Sequence, residues 1–227
     1  MSKRFHLWFI FLLPLLALHA ASAQQNLLPS WKNGSDRRAI INFVHDVTDP
    51  QSCQFVPPKQ RIATFDFDGT IAGETSAKGK HPEYVGRAFE PMREVVAYLR
   101  ANGFTCWIVS GSSEDRLKKY AAPNYGITDN HLIGSVGHDT KVTAIKARIG
   151  VKPIFAAGNN GNDYAMLRYS HQQPRETLQL LIHHDDAARE VNYAQQSEVD
   201  AAKAARWRLI SIKKDWRRVF WKLNQSQ

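Results

Sequence analysis

Cysteine is almost missing from this chain: Cys53 and Cys106 are the two in 227 residues. Two cysteines cannot build a zinc site by themselves, and the nine histidines follow no metal-ligand spacing. At most one disulfide could form. Cys106 lies inside the apolar run Thr105-Cys106-Trp107-Ile108-Val109, so it reads either as a partner of Cys53 or as a small core residue. No internal repeat or low-complexity tract is present. No arginine-rich run is present either. The 30 Lys and Arg residues are spread along the chain, so the formal charge of +9 reads as solubility or attraction of anionic substrates. No nucleic-acid partner is expected. A long apolar run is also lacking: Leu7 to Leu18, broken by Pro14, falls short of the roughly 20 residues a membrane span needs.

What that short run does fit is a secretory signal. Lys3 and Arg4 precede it, and Ala21-Ser22-Ala23 follows as a small-residue cleavage site. Residues 1–23 are therefore expected to be removed, with export to a periplasm or beyond; an uncleaved anchor is the alternative. No cysteine lies near the cleavage site, so no lipid anchor and no stable membrane attachment is expected. Residues 24–227 are long enough for one domain with a sizeable core.

The most informative stretch is Ile62-Ala63-Thr64-Phe65-Asp66-Phe67-Asp68-Gly69-Thr70. A short apolar run, β-branched and aromatic, ends in two carboxylates and a turn signal, which predicts a buried strand. Burying an unpaired carboxylate costs several kcal/mol, so the pair calls for a compensating cation. Ligand sites of open parallel sheets lie at the carboxyl ends of strands. The reading is a metal and phosphate site; an Asx-type turn is the plainer alternative.

The rest of the chain repeats the pattern. Gln24 to Asn33 reads as a loose leader, and Ser35 as the cap of a helix carrying Ile40, Phe43, Val44 and Val47. Residues 71–90 read as a flap, with Glu74, Thr75, Lys78, Lys80 and His81 as possible substrate contacts. A helix is predicted from Pro91 to Gly103. A strand from Phe104 to Val109 runs into Ser110-Gly111-Ser112-Ser113 and a helix from Glu114 to Tyr120. That layout suits phosphate, because a helix start offers free N–H groups; Ser110 could equally be an ordinary N-cap. A short strand falls at Leu132-Ile133 and a helix at Lys141 to Ile149. Lys141 in a first turn is unfavourable unless an anion is near, or else it simply faces solvent. A strand from Pro153 to Ala157 ends in Gly158-Asn159-Asn160-Gly161-Asn162-Asp163, where Asn159 and Asp163 can offer oxygen to a hard cation. Leu178 to Ile182 runs into His183-His184-Asp185-Asp186. Neighbouring residues on a strand face opposite ways, so the two histidines do not share a metal, and the two acids suit a helix start. Helices are predicted over Glu190 to Ala205 and Asp215 to Leu223, with a strand at Arg208 to Ile212. Strands alternating with helices define an α/β class: a doubly wound, Rossmann-like parallel sheet with helices on both faces.

Four of these loops, in this order, resemble the haloacid dehalogenase superfamily. Asp66-Phe67-Asp68-Gly69-Thr70 matches its Asp-x-Asp-Gly-Thr motif, Ser110 its second motif and Lys141 its third, with Lys146 a weaker candidate. Gly158-Asn159-x-x-x-Asp163 matches its fourth, Gly-Asp-x-x-x-Asp, with asparagine at the first acid. Gly-Asn-x-Gly-x-Asp-Tyr-x-Met-Leu and Leu-Ile-His-His-Asp-Asp further resemble an exported bacterial subgroup described as phosphoserine-phosphatase-like or acid-phosphatase-like.

The resemblance implies a Mg²⁺-dependent phosphomonoesterase acting on a small phosphorylated substrate. It makes Asp66 the nucleophile that forms an aspartyl-phosphate and Asp68 the acid and base. It gives Ser110, Gly111 and Lys141 the phosphoryl oxygens. It assigns Mg²⁺ to Asp66, the Asp68 backbone, Asn159 and Asp163. No large cap is inserted after Thr70 or between Ser110 and Lys141, so an open site is expected. Transfer of the phosphoryl group to an alcohol, or a binding protein that kept the fold, are the alternatives.

Overall fold

The computed structural model of the chain describes residues 27–73, 86–137 and 139–221. The expected signal segment and the flap candidates Glu74, Thr75, Lys78, Lys80 and His81 lie outside them, as does Leu223.

Among the described residues six strands form one sheet: β1 (Ile62–Phe65), β2 (Thr105–Val109), β3 (Leu132–Ile133), β4 (Phe155–Gly158), β5 (Leu178–His183) and β6 (Arg208–Ser211). All five pairings are parallel, in the order 3-2-1-4-5-6. Parallel neighbours need a crossover, and the helices provide it. The order reverses between β1 and β4, which opens a crevice beyond their carboxyl ends.

Alternate residues of the central strands feed opposite layers. Ala63, Phe65, Cys106, Ile108, Phe155 and Ala157 face one core. It is covered by α1 (Ser35–Thr48) through Ile40, Phe43, Val44 and Val47, by α2 (Glu90–Ala101) through Met92, Val95, Val96 and Leu99, and by Leu117 of α3 (Glu114–Tyr125). Ile62, Trp107 and Val109 face the other side, where α4 (Lys141–Arg148) and α5 (Tyr164–His171) contribute Ile145 and Met166. Leu167 of α5 and Ala202 of α6 (Gln196–Ala205) extend that layer over Ala156 and Leu181. Helices on both faces leave the central strands nearly continuous in apolar residues, as a doubly wound sheet requires. Both cysteines are free, Cys53 at the surface and Cys106 in the core.

Several local expectations are corrected. The leader is not loose in its described part: Leu28, Ser30 and Trp31 are buried. The helix expected over Asp215 to Leu223 is absent from its described part beyond Asp215, and a short helix α7 (Ile212–Asp215) precedes it instead. Beyond it the backbone pairs with distant segments, not with its own preceding turn. Arg217 N–H donates to the Ser30 carbonyl at 2.7 Å, Trp221 N–H to Ala88 at 2.9 Å, and the Val219 carbonyl accepts from Glu90 N–H at 2.8 Å. Trp216 then seats edge-on against Trp31, ring centroids 6.0 Å apart. Amphipathic spacing alone cannot see such partners. Likewise α6 begins at Gln196 and not at Glu190, so Asp185 and Asp186 do not start a helix. Asp185 accepts from the Ser211 hydroxyl at 2.5 Å, and Asp186 pairs with Arg189. Helix α3 runs on past Tyr120 to Tyr125, through Pro123.

The base of the flap is described and closed. Gly73 N–H donates to the Arg87 carbonyl at 2.9 Å and Phe89 N–H to Ile71 at 2.8 Å, so the two ends of the flap leave the fold side by side.

Candidate active site

The site is assembled where β1, β2 and β4 end. Asp66 extends β1, its N–H donating to the Ala157 carbonyl of β4 at 3.0 Å. The chain then folds into a tight loop: Ile71 and Ala72 N–H groups both donate to the Phe67 carbonyl at 3.1 Å. Gly69 takes φ of 79° there, a left-handed conformation that glycine adopts without a Cβ penalty.

Three charged side chains meet at the centre. Lys141 Nζ donates to Asp66 Oδ1 at 2.6 Å and to Asp163 Oδ1 at 2.7 Å, and all three residues are buried. Lys141 is therefore not a solvent-facing lysine of α4. Lys146 is exposed and lies over the Tyr169 ring, away from the carboxylates. Burial works against the Lys141 charge, but the two carboxylates outweigh it and push the amine up to about 12. Burial, helped by the nearby Asp163, raises the Asp66 carboxyl to about 7 against the opposing pull of Lys141. One ammonium thus faces two buried carboxyl groups, and the site carries an excess negative charge once Asp66 is ionised.

Asp163 is held from the other side by its own loop. Its Oδ2 accepts from Asn159 N–H at 2.8 Å and Asn160 N–H at 3.3 Å. This closeness depends on Gly158, where an added Cβ would lie 2.3 Å from Asp163 Cβ. Gly158→Ala is expected to displace Asp163 and lower stability by about 1–3 kcal/mol or more. Thermal unfolding checks it, and an unchanged midpoint would contradict the close packing.

The ambiguity at Ser110 is resolved by position. Ser113, not Ser110, caps α3, accepting from Arg116 N–H at 3.3 Å. Ser110 is buried and its hydroxyl accepts from Ser112 N–H at 3.2 Å. A cavity of about 350 Å³ opens here, lined by Asp66, Asp68, Ser110, Gly111, Ser112, Val136, Gly137, Lys141, Asn160, Asn162 and Asp163. Every expected site residue but one lines it. Asn159 sits behind the wall, fully buried.

Residues not anticipated from the motifs complete the site. Asp68 accepts from Ser112 Oγ at 2.6 Å and from Arg116 Nη2 at 3.0 Å. Ser112 stood in the quoted Ser-Gly-Ser-Ser stretch, whereas Arg116 had no signal beyond lying one turn into a helix. Thr70 Oγ1 is 3.4 Å from Asp66 Oδ2 and 3.2 Å from Asn159 Oδ1, so one hydroxyl bridges the two side chains. His184 does not line the cavity; it is buried beneath the Asp68-Gly69 turn, with Nε2 2.7 Å from the Gly69 carbonyl.

Among the described residues no cluster of three or more His, Cys, Asp or Glu side chains is placed to hold a metal. The oxygen groups at these strand ends are of another kind: the carboxylates of Asp66 and Asp163, joined through Lys141, and the amide oxygen of Asn159, joined to Asp66 through Thr70. An all-oxygen set with excess negative charge fits a hard cation such as Mg²⁺ and does not fit a soft one.

No protein-family model and no curated protein matches the chain. Solved structures similar to it include a conserved protein of unknown function from Anaerococcus prevotii DSM 20548, 21% identical over 54% of this chain, with a TM-score of 0.42. That match spans 37% of the other protein's own length. An apo phosphoserine phosphatase is 12% identical over 69% of this chain and 95% of its own, with a TM-score of 0.40. A haloacid dehalogenase-like hydrolase from Streptococcus pneumoniae is 12% identical over 68% and 95%, with a TM-score of 0.39. The site's own residues carry the functional reading.

Proposed function

We propose that the chain is a Mg²⁺-dependent phosphomonoester hydrolase of the haloacid dehalogenase type, exported after cleavage near Ala23 and acting on small phosphorylated metabolites. One observation carries the activity: Asp66 shares Lys141 with Asp163 at the reversal point of the sheet and opens into a cavity with Ser110 and Gly111. Export is supported by the sequence of residues 1–23 alone.

In this reading the substrate phosphate enters the cavity with its oxygens toward Lys141, Ser110 and the Gly111 N–H. Mg²⁺ held by Asp66, the Asp68 carbonyl, Asn159 and Asp163 would supply positive charge against those oxygens and keep Asp66 ionised. An Asp66 oxygen attacks phosphorus and the bond to the alcohol oxygen breaks, giving an aspartyl-phosphate. Asp68 gives the departing alcohol its proton, then takes one from the water that frees phosphate. To meet the leaving oxygen, Asp68 gives up one of its contacts to Ser112 or Arg116. Lys141 and Ser110 stay fixed throughout, so the site contributes chiefly position and preset charge.

Phosphate release from p-nitrophenyl phosphate and a panel of phosphomonoesters tests this. Release is expected with MgCl₂ and is expected to vanish with EDTA. Silence across the panel would overturn the activity in favour of a binding protein. Transfer to added alcohol in place of free phosphate would replace hydrolase by phosphotransferase.

A further inference from the structure

Asparagine at 159 stands where the resembled motif has an acid, and its side chain has two unlike ends. An amide presents either oxygen or NH₂ to a cation, and only the oxygen can bind. A carboxylate has no such choice. Something must therefore hold the Asn159 amide the right way round for the cation reading above to work.

The loop after β5 holds it. Asn159 Nδ2 donates to the Tyr193 hydroxyl at 3.1 Å. Its Oδ1, at the other end of the amide, accepts from Thr70 Oγ1 and from Asn160 Nδ2, both at 3.2 Å. The Tyr193 ring lies nearly flat against His184, centroids 4.2 Å apart and planes 18° from parallel. His184 is itself pinned at both nitrogens: Nδ1 is 2.8 Å from Glu190 Oε2, and Nε2 is 2.7 Å from the Gly69 carbonyl. Its partner Glu190 is buried as well. One rigid stack thus touches both the Asp68-Gly69 turn and Asn159.

We propose that Tyr193, seated on the His184–Glu190 pair, is a positioning residue that orients the Asn159 amide so that its oxygen faces a divalent-cation site. This rests on the metal reading above. It also explains how an amide serves at this place: the orientation that a carboxylate has by symmetry is provided here by the Tyr193 hydroxyl at the nitrogen end together with Thr70 and Asn160 at the oxygen end. Partners behind a ligand shape affinity about as strongly as this, and losing one typically costs about 10–100-fold in metal binding.

The test is calorimetric titration of the cation-free protein with MgCl₂. Tyr193→Phe keeps the ring and its stack and removes only the hydroxyl. It is expected to bind Mg²⁺ at least about tenfold more weakly than wild type, with its melting midpoint nearly unchanged. The second arm uses Asn159→Asp, where both side-chain ends are oxygen. In that background Tyr193→Phe is expected to change Mg²⁺ affinity by less than about threefold, because no orientation remains to be chosen. A Tyr193→Phe protein that binds Mg²⁺ like wild type would overturn the proposal and leave the metal site standing. An equal penalty in both backgrounds would also overturn it, pointing to a general packing role. A wild-type protein that binds no Mg²⁺ would remove the metal reading and this inference with it.

Discussion

Replacing Asp66 by asparagine should abolish phosphate release and, at the same time, make the cation-free protein harder to unfold. The first effect follows from chemistry: an amide is no nucleophile toward phosphorus, and loss of a nucleophile has cost up to about 10⁶-fold in other enzymes. A fall of at least about 10³-fold is expected here. The second follows from charge. Asp66 and Asp163 are both buried and share Lys141 at 2.6 and 2.7 Å. Burial and the neighbouring acid push the Asp66 carboxyl up, so its ionised form is disfavoured in the fold. Asparagine removes that charge and leaves Lys141 and Asp163 as a balanced pair. A gain of about 1–3 kcal/mol, a few degrees in melting midpoint, is expected without cation. Saturating Mg²⁺ should stabilise the wild type, by about 2.7 kcal/mol at a hundredfold excess over its dissociation constant, and stabilise the variant much less. Residual activity above about one part in a hundred would sink the nucleophile assignment.

Lys141→Met is the opposite experiment. It leaves two carboxylates facing each other in a buried site with their shared ammonium gone. Breaking a buried pair by removing one partner costs about 3–5 kcal/mol, because an uncompensated charge stays behind. Two charges stay behind only where Asp66 is ionised despite its raised value, so the upper half of that range is expected in urea unfolding at alkaline pH. Restoring balance should recover much of the loss: Asp66→Asn in the Lys141→Met protein is expected to be more stable than Lys141→Met alone. The pair should be non-additive by about 1–3 kcal/mol, since the two residues are in direct contact. If the two effects simply summed, the charge triad would not be the unit described here.

The alternation of apolar runs with helix-spaced segments made the α/β class and the six strand positions readable to within a residue or two. That works because strand burial on both faces leaves an unbroken apolar run, and such a run is visible in one dimension. The catalytic candidates were readable for a related reason. Asp66, Ser110 and Asp163 each follow a buried strand in a polar, glycine-rich loop. Lys141 was readable as a helix-start cation and not as a buried one, since burial of its amine depends on carboxylates 75 and 22 positions away. The misjudged segments share a cause. Residues 216–221 have helical spacing but hydrogen-bond to Ser30 and to the Ala88–Glu90 stretch, and tertiary pairing outweighed local preference.

The sequence by itself determined the sheet and the motif residues, because those depend on local patterns of burial and turn chemistry. It also showed the asparagine at 159. Only the tertiary structure decided which serine caps a helix and which faces the cavity. It alone put one lysine between two acids, and a tyrosine behind an amide. Such pairings join residues tens of positions apart, and their distances are set by how the layers pack, which no local pattern encodes.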